Sequence, residues 1–410
     1  MVATQTNRYS TNIPQISCQT GELGTDFHPW EQRQLGEVVS ERNEHSASGE
    51  LLSISMRRGV YPTSCSDRKD NSSEDKSNYK HLAVGDIAYN SMRMWQGACG
   101  LSSFDGIISP AYTVAIPSAA TDGRFLIDLF KTTEMLNTFQ RNSQGLTSDT
   151  WNLKYPAFSK IKCSIPSLHE QRRIGEFFST LDSLIAAAER QEALLRQKKQ
   201  AYLQLMFPCE GETQPRLRFS GFNGQWQQRQ LGEVAEIVGG GTPDSSNADY
   251  WDGDIDWYIP SEIGESRIAQ ASTRKITREG LNHSSARLLP AGSILFTSRA
   301  SIGLMAFISR PSATNQGFQS LIPNGEVDPD FLYALGPRIS RYAKKHAAGS
   351  TFIEISGSSL AKAPLRIPKL PEQRLIGQLF STFDKIISAA EQQIESLQMA
   401  KAAYLQRMFV

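Results

Sequence analysis

Residues 165–182, IPSLHEQRRIGEFFSTLD, return almost unchanged at residues 367–384 as IPKLPEQRLIGQLFSTFD. The alignment runs without a gap from Ile165–Phe207 to Ile367–Phe409, both copies close with AYLQxMF, and 25 of the 43 paired positions are identical. So high a fraction over an ungapped stretch marks a duplication. A second echo opens each half: WEQRQLGEV from Trp30 recurs as WQQRQLGEV from Trp226. A period of roughly 200 residues is too long for a solenoid and suits a duplicated unit of one domain plus one helix.

Within each repeat the apolar residues keep helical 3/4 spacing. The first stripe is Ile174, Phe177, Leu181, Leu184, Ala188, Leu195, Tyr202 and Leu205; the second is Ile376, Leu379, Phe383, Ile386, Ala390, Leu397, Ala400 and Tyr404. About five heptads of this kind predict a coiled-coil seam. Ser167 with Glu170 fits a capping box, and Pro371 suits a first helical turn. Gln191, Lys198, Gln393 and Arg407 interrupt the seam, which can fix register between two helices. The competing reading is an ordinary amphipathic helix packed on its own domain. If the helices pair within one chain, an antiparallel, pseudo-twofold arrangement is expected, with a globular domain at each end. At about 1.5 Å per residue, some 39 residues make a rod of roughly 55–60 Å.

The remaining sequence mixes short β-like runs (residues 112–116, 293–296 and 305–308) with Gly, Pro, Asn and Ser punctuation and short helical stretches. This predicts an α+β fold with mostly antiparallel sheet. The expected partition is an extension over 1–25 that is disordered, a first domain over 26–164, a first helix over 165–209, a second domain over 210–366 and a second helix over 367–410. The halves share landmarks in order: residues 82–87, LAVGDI, match 289–294, LPAGSI, and Ser91-Met-Arg93 lies near the place of Ser298-Arg299. Two related scaffolds with different surfaces are implied.

The 410 residues can bury two cores, and no apolar run approaches the roughly 20 residues of a membrane span. The first 30 residues lack the apolar stretch of a signal peptide, so a cytoplasmic location is expected. The five cysteines form no metal-ligand cluster. Lys and Arg number 16 against 17 Asp and Glu in residues 1–165, and 16 against 16 in 210–366, so any nucleic-acid surface must come from local clustering. Such clusters exist. Arg267, Arg274, Lys275, Arg278 and Arg287 form one, and Arg338, Arg341, Lys344 and Lys345 another. In the first half Arg57, Arg58, Lys80 and Arg93 stand with Tyr89 and Asn90 nearby. Lys and Arg neutralise phosphates, while base edges are read by Arg, Asn, Gln, Ser or Thr held at a groove. An isolated surface Arg is more often only a solvated charge.

Searches for a catalytic centre fail. There is no Walker A loop, HExxH or GxSxG. Gly239-Gly-Gly-Thr-Pro243 lacks dinucleotide-loop spacing and reads as a close-approach turn. Ser109-Pro-Ala-Tyr112 has only the outline of the Asn-Pro-Pro-Tyr motif of amino-methyltransferases. Glu74-Asp-Lys76 and Ser359-Leu-Ala-Lys362 fit nuclease and acyl-transfer patterns by letter alone. A non-catalytic chain is expected.

The paired IPxLxEQRxIGxxFSTxD segments, the 239–243 turn followed by Tyr250-Trp251 and Trp257-Tyr-Ile-Pro260, and Gly349-Ser-Thr-Phe352 ahead of the second helix together carry a resemblance. From Trp30 to Phe409 the chain resembles the specificity subunits of type I restriction-modification systems. The resemblance implies two target-recognition domains, each reading one half of a split DNA sequence and held apart by the two helices. Unlike domains imply an asymmetric site, and the rod length bounds the separation of half-site centres at roughly 17 base pairs of about 3.4 Å. It further implies two modification subunits bringing S-adenosylmethionine and two restriction subunits bringing ATP and Mg2+, with no cofactor on this chain. The DNA-facing role carries over onto Gly240, Thr242, Ser298, Arg299, Ser350 and Thr351. The first domain matches more loosely, since Gln144-Gly-Leu-Thr-Ser148 replaces Gly-Ser-Thr-Phe. Glu170, Gln171, Arg172, Glu372, Gln373 and Arg374 are expected to dock partner subunits; the alternative is that they only cap helices. The rival from another class is a coiled-coil adaptor holding two protein-binding domains without DNA, which the steep salt dependence of DNA binding would distinguish.

Overall fold

The computed structural model describes residues 30–66, 72–209, 211–264, 266–349 and 353–409. The extension over 1–25 and the expected DNA contacts Ser350 and Thr351 lie outside them. The chain divides into two compact units, Met1–Leu181 with Lys401–Val410, and Asp182–Ala400.

The first unit is closed by an antiparallel pair, Glu31–Gln34 with Lys162–Ile165. Inside it, Val39–Glu41, Tyr112–Pro117, Ile87–Asn90 and Cys99–Leu101 lie side by side as an antiparallel sheet. A second sheet orders Gly59–Pro62, Glu50–Ser55, Gly106–Ile108 and Lys80–Leu82, with Glu50–Ser55 parallel to Gly106–Ile108. The β-branched and aromatic content of Tyr112-Thr-Val-Ala-Ile-Pro117 suits a strand covered on both faces, and Thr113, Val114 and Ala115 are buried. Asp122 caps the helix Gly123–Phe130 by accepting from the Arg124 and Phe125 amides.

The second unit repeats this topology, except that its second sheet has three strands and an isolated bridge, Leu289–Ser312, in place of the fourth. Gln227–Gln230 pairs with Pro364–Ile367. Ala235–Gly239, Gln319–Pro323, Ile294–Phe296 and Met305–Phe307 form the antiparallel sheet. Trp251–Tyr258 pairs antiparallel with Arg274–Ile276 and parallel with Ser312–Thr314, as Glu50–Ser55 does with its own neighbours. The LAVGDI and LPAGSI landmarks are matched turns, with Gly85 at φ 89° and Gly292 at φ 85°, a region that favours glycine. Both units are α+β. No helix among the described residues is long and apolar enough to cross a membrane.

The repeats form two long helices, Leu168–Leu205 and Leu370–Met408. Two adjacent stripes are used: Phe177 with Tyr404 and Tyr202 with Phe383, from the expected stripe, meet between the helices, while the most deeply buried residues follow a second one. Ile174, Phe178, Leu181, Ile185 and Ala188 are buried in a 4-3-4-3 pattern and Ile376, Phe380 and Ile387 at spacings of 4 and 7, whereas Leu184 and Ile386 are 48% and 44% exposed. Apolar residues stand side by side at 177/178, 184/185, 379/380 and 386/387, so each helix carries two adjacent apolar stripes.

The conserved heads of the repeats lock each helix to its domain. The Gln171 side chain accepts from the Asp122 amide at 3.0 Å and donates to the Pro166 carbonyl at 2.9 Å. Its twin Gln373 accepts from the Asp328 amide and donates to the Pro368 carbonyl, both at 2.9 Å. Glu372 takes a bidentate bond from Arg218 at 2.8 and 2.7 Å. Gln171, Glu372 and Gln373 are only 1%, 2% and 1% exposed, which corrects their assignment as docking points: their polar atoms are consumed inside the fold. Glu170 is half-buried and accepts from the Trp30 indole at 3.3 Å. Arg172 and Arg374 alone of the six are exposed.

The last aromatic of each repeat fills an equivalent nest. Phe207 lies 6.0, 5.5 and 5.8 Å from Trp226, Phe331 and Phe380. In the other unit Phe409 lies 5.9, 5.4 and 6.0 Å from Trp30, Phe125 and Phe178.

The glycine of each repeat tests the lock. A Cβ on Gly377 would come within 2.6 Å of Asp328 Oδ1 and 2.7 Å of the Phe331 nitrogen; on Gly175 the nearest approach is 2.9 Å, to Arg124 Cβ. Alanine gains about 1 kcal/mol of helix propensity, but overpacking costs about 1–3 kcal/mol. Gly377→Ala is therefore expected to lower the urea unfolding midpoint, and Gly175→Ala to lower it less.

Candidate nucleic-acid interface

In the second unit, segments far apart in sequence meet at the turn Asn315-Gln-Gly317. Gly240 runs so close beneath it that a Cβ would lie 2.0 Å from the Asn315 carbonyl oxygen, so only glycine fits. Thr242 Oγ1 donates to Gln316 Oε1 at 2.6 Å. Arg299 Nη2 donates to the Gln316 carbonyl at 3.2 Å and pairs with Glu354 at 3.1 Å. The Ser298 amide donates to the Gly317 carbonyl at 2.8 Å, and its hydroxyl to Glu354 at 3.2 Å.

Four expected residues, Gly240, Thr242, Ser298 and Arg299, are thus brought together, but not all in the expected role. Ser298 is fully buried with its hydroxyl used internally, so it does not face a ligand. Gly240 acts through its missing side chain. Arg299 has its charge offset by Glu354 and braces the turn. Gln316 and Glu354 were not foreseen. Asn-Gln-Gly reads as a turn in sequence, yet nothing there places it above Gly240. The exposed side chains at this spot are Thr242 and Gln316. A hydroxyl and an amide on a clamped turn are groups that can read base edges.

A second locus surrounds Arg274, whose guanidinium lies 3.6 Å from the centre of the Trp251 ring, a cation–π contact. Next to it, Lys275 faces the buried Asp256 carboxylate at 3.7 Å. Asp256 also bonds Arg310 and accepts from the Ser272 hydroxyl at 3.0 Å. Burial alone would raise this carboxyl, but the bonds from Arg310 and Ser272 and the charges of Arg310 and Lys275 bring it below the usual range. Lys275 is therefore partly neutralised. Arg267, from the same basic run, turns inward: it pairs with Asp384 at 2.8 Å and with Asp330, over the rings of Phe307 and Tyr333. Lys344 is exposed on the last turn of the helix Gly336–His346, where a cation also complements the helix dipole.

The first-unit candidates fare less well. Tyr89 is a correction: it is fully buried, stacked on Phe158 with ring centres 4.9 Å apart, and burial pushes its phenol up. Lys80 is mostly covered and faces Glu41 at 3.8 Å. Asn90 uses its side-chain oxygen to accept from the Met92 amide at 3.0 Å. Arg57 and Arg58 are exposed on a hairpin turn, with Arg58 donating to the Cys65 carbonyl at 3.0 Å. Arg93 lies 4.0 Å from Asp149. Asn90, Met92, Tyr61 and Tyr112 line a concavity of about 680 Å³. No group of three or more His, Cys, Asp or Glu side chains suited to a metal occurs among the described residues.

The family described as "Type I restriction modification DNA specificity domain" matches the chain twice, over residues 28–197 and 223–399. The MjaIX specificity subunit of Methanocaldococcus jannaschii is 34% identical over 189 residues, 45% of this chain and 44% of that protein. The EcoR124I/EcoR124II specificity subunit of Escherichia coli is 29% identical over 228 residues, 52% of each. The chain thus matches about half the length of these curated relatives. Among solved structures, the S subunit of a type I system from M. genitalium superposes with a TM-score of 0.62 at 14% identity, covering 95% of this chain and 98% of that one. A chain from work on assembly and conformational transition of a type I R-M system gives 0.53 at 19%, covering 93% and 97%. At these identities the structural likeness concerns the fold.

Asp256 yields a pH-dependent expectation. Its folded pKa is lowered, so its contribution to stability is full above the unfolded value near 4 and is lost as pH falls through the folded value. Asp256→Asn is expected to cost about 1–3 kcal/mol at pH 7. In urea titrations the gap to wild type should close below about pH 4.

Proposed function

The chain belongs to the type I restriction-modification DNA specificity family, and from that premise we propose that it is a non-catalytic subunit giving a DNA methyltransferase and endonuclease complex its target. Each domain reads one half of a bipartite, asymmetric site. The observation that carries this reading is the clamped turn at Gln316, where Thr242 and Arg299 converge from separate segments to hold a base-reading side chain at the surface. Two units of one topology with unlike residues at that turn favour two different half-sites.

The long helices serve as an antiparallel coiled-coil spacer in this reading. Phe177 meets Tyr404 in one unit; in the other, Tyr202 meets Phe383, Lys199 pairs with Asp384 and Arg196 with Glu391. Residue numbers rise along one helix as they fall along the other, which supports the antiparallel sense. Exposed Arg172, Arg374, Leu184, Leu194 and Ile386 are available for docking modification subunits. Those subunits would bring S-adenosylmethionine, and restriction subunits ATP and Mg2+, in the cytoplasm. This chain would bind none of these cofactors.

The test is to express the chain with its modification subunit in a methylation-free host and map modified adenines by single-molecule sequencing. One asymmetric split motif that vanishes when this chain is omitted is the expected result. No new methylation, with both proteins soluble and associated, would overturn the reading.

A further inference from the structure

The two units can be matched residue by residue around the clamped turn. Leu153 donates its amide to the Ser91 carbonyl at 2.8 Å, as Ile355 does to Ser298 at 3.0 Å. Tyr112 pairs with Asn90 as Phe318 pairs with Thr297, and the Gln144–Asn152 bridge repeats as Ala348–Glu354. The turn Ser109-Pro-Ala111 therefore stands where Asn315-Gln-Gly317 does. Pro110 occupies the place of Gln316, and Met92 that of Arg299.

Gln316 is exposed, yet its backbone is held from every side. Asn315 donates its amide to the Tyr258 carbonyl at 2.9 Å, and its side-chain oxygen accepts from the Gly317 amide at 2.8 Å. A Cβ on Gly317 would lie 2.6 Å from Pro260 Cγ, and Gly240 closes the turn from beneath. An ordinary solvated glutamine needs none of this. Preorganised backbone under an exposed polar side chain is how a recognition group is presented.

Thr242 also anchors the amide. Its hydroxyl donates to Gln316 Oε1 at 2.6 Å, leaving the second lone pair of that oxygen and both Nε2 hydrogens for a ligand. One acceptor beside one donor matches the adenine edge in the major groove, N6–H donating and N7 accepting. Guanine presents two acceptors there, so its O6 would face Oε1 unfavourably. Pro110 offers no donor at all.

Resting on the DNA-specificity reading above, we propose that Gln316 is the residue of the second domain that selects an adenine by its N6 and N7 atoms, and that the first domain lacks this contact.

The experiment uses the assembled complex of this chain with its modification subunits and duplexes carrying its mapped target. Each adenine of the second half-site is replaced in turn by 7-deazaadenine, which removes N7. At one position wild-type affinity should fall roughly 5- to 150-fold, the equivalent of about 1–3 kcal/mol. Gln316→Ala should lose a similar factor on the natural duplex and nothing further on the modified one. Losses that multiply at every adenine, or the absence of any sensitive position, would overturn the assignment while leaving the target-reading function intact. A wild-type complex with no sequence preference would instead overturn that function. Thr242→Val repeats the cycle if Gln316→Ala fails to fold: it should weaken adenine-over-guanine discrimination at the same position, and unchanged discrimination would sink the proposal.

Discussion

The Gln373 side chain bonds the amide that opens one helix and the carbonyl just before another, and Gln171 does the same in the other repeat. This pair of buried glutamines sets how each long helix leaves its domain. A 39-residue helix is a lever: a tilt of about 5° at its base would move the far end by roughly 5 Å. The base is accordingly over-determined. The glycine one turn on allows the capping aspartate and its helix to press against the lever, and the terminal aromatic of the other repeat fills the space beside it.

The same constraint explains where the chain has diverged and where it has not. Residues that fix the helix bases, such as EQR, IG and the final phenylalanine, repeat nearly letter for letter. Residues on the turns beyond the sheets do not: Asn315-Gln-Gly stands against Ser109-Pro-Ala, and Arg299 against Met92. Free variation over an invariant frame is the economy of a molecule whose geometry is shared and whose contacts are individual.

Much of this was legible in the sequence. The gapless repeat located both helices, and the LAVGDI and LPAGSI stretches marked equivalent turns. The stripe through Phe178 and Ile185 was not read, because neighbouring apolar residues at 177/178 and 184/185 serve two stripes and the sequence does not say that the domain takes the second. Charge was a poor guide as well. Arg267, Lys275 and Lys80 count as cations in a sequence, but each meets a carboxylate, a pairing that depends on residues tens of positions away. Tyr89, a candidate DNA contact beside the first-half cations, is core, while Gln316, an uncharged residue in a polar run, gave no signal until Gly240 and Thr242 were seen beside it.

The placement of Phe409 against Trp30 and Phe125 has a consequence in time. Asp182–Ala400 is one continuous stretch, whereas the other compact unit draws on residues 401–409 as well as 30–181. During synthesis the later-made unit can complete its core first. The earlier-made one waits with its aromatic nest open until residue 409 clears the ribosome, exposed to wrong partners for as long as the intervening two hundred residues take to emerge.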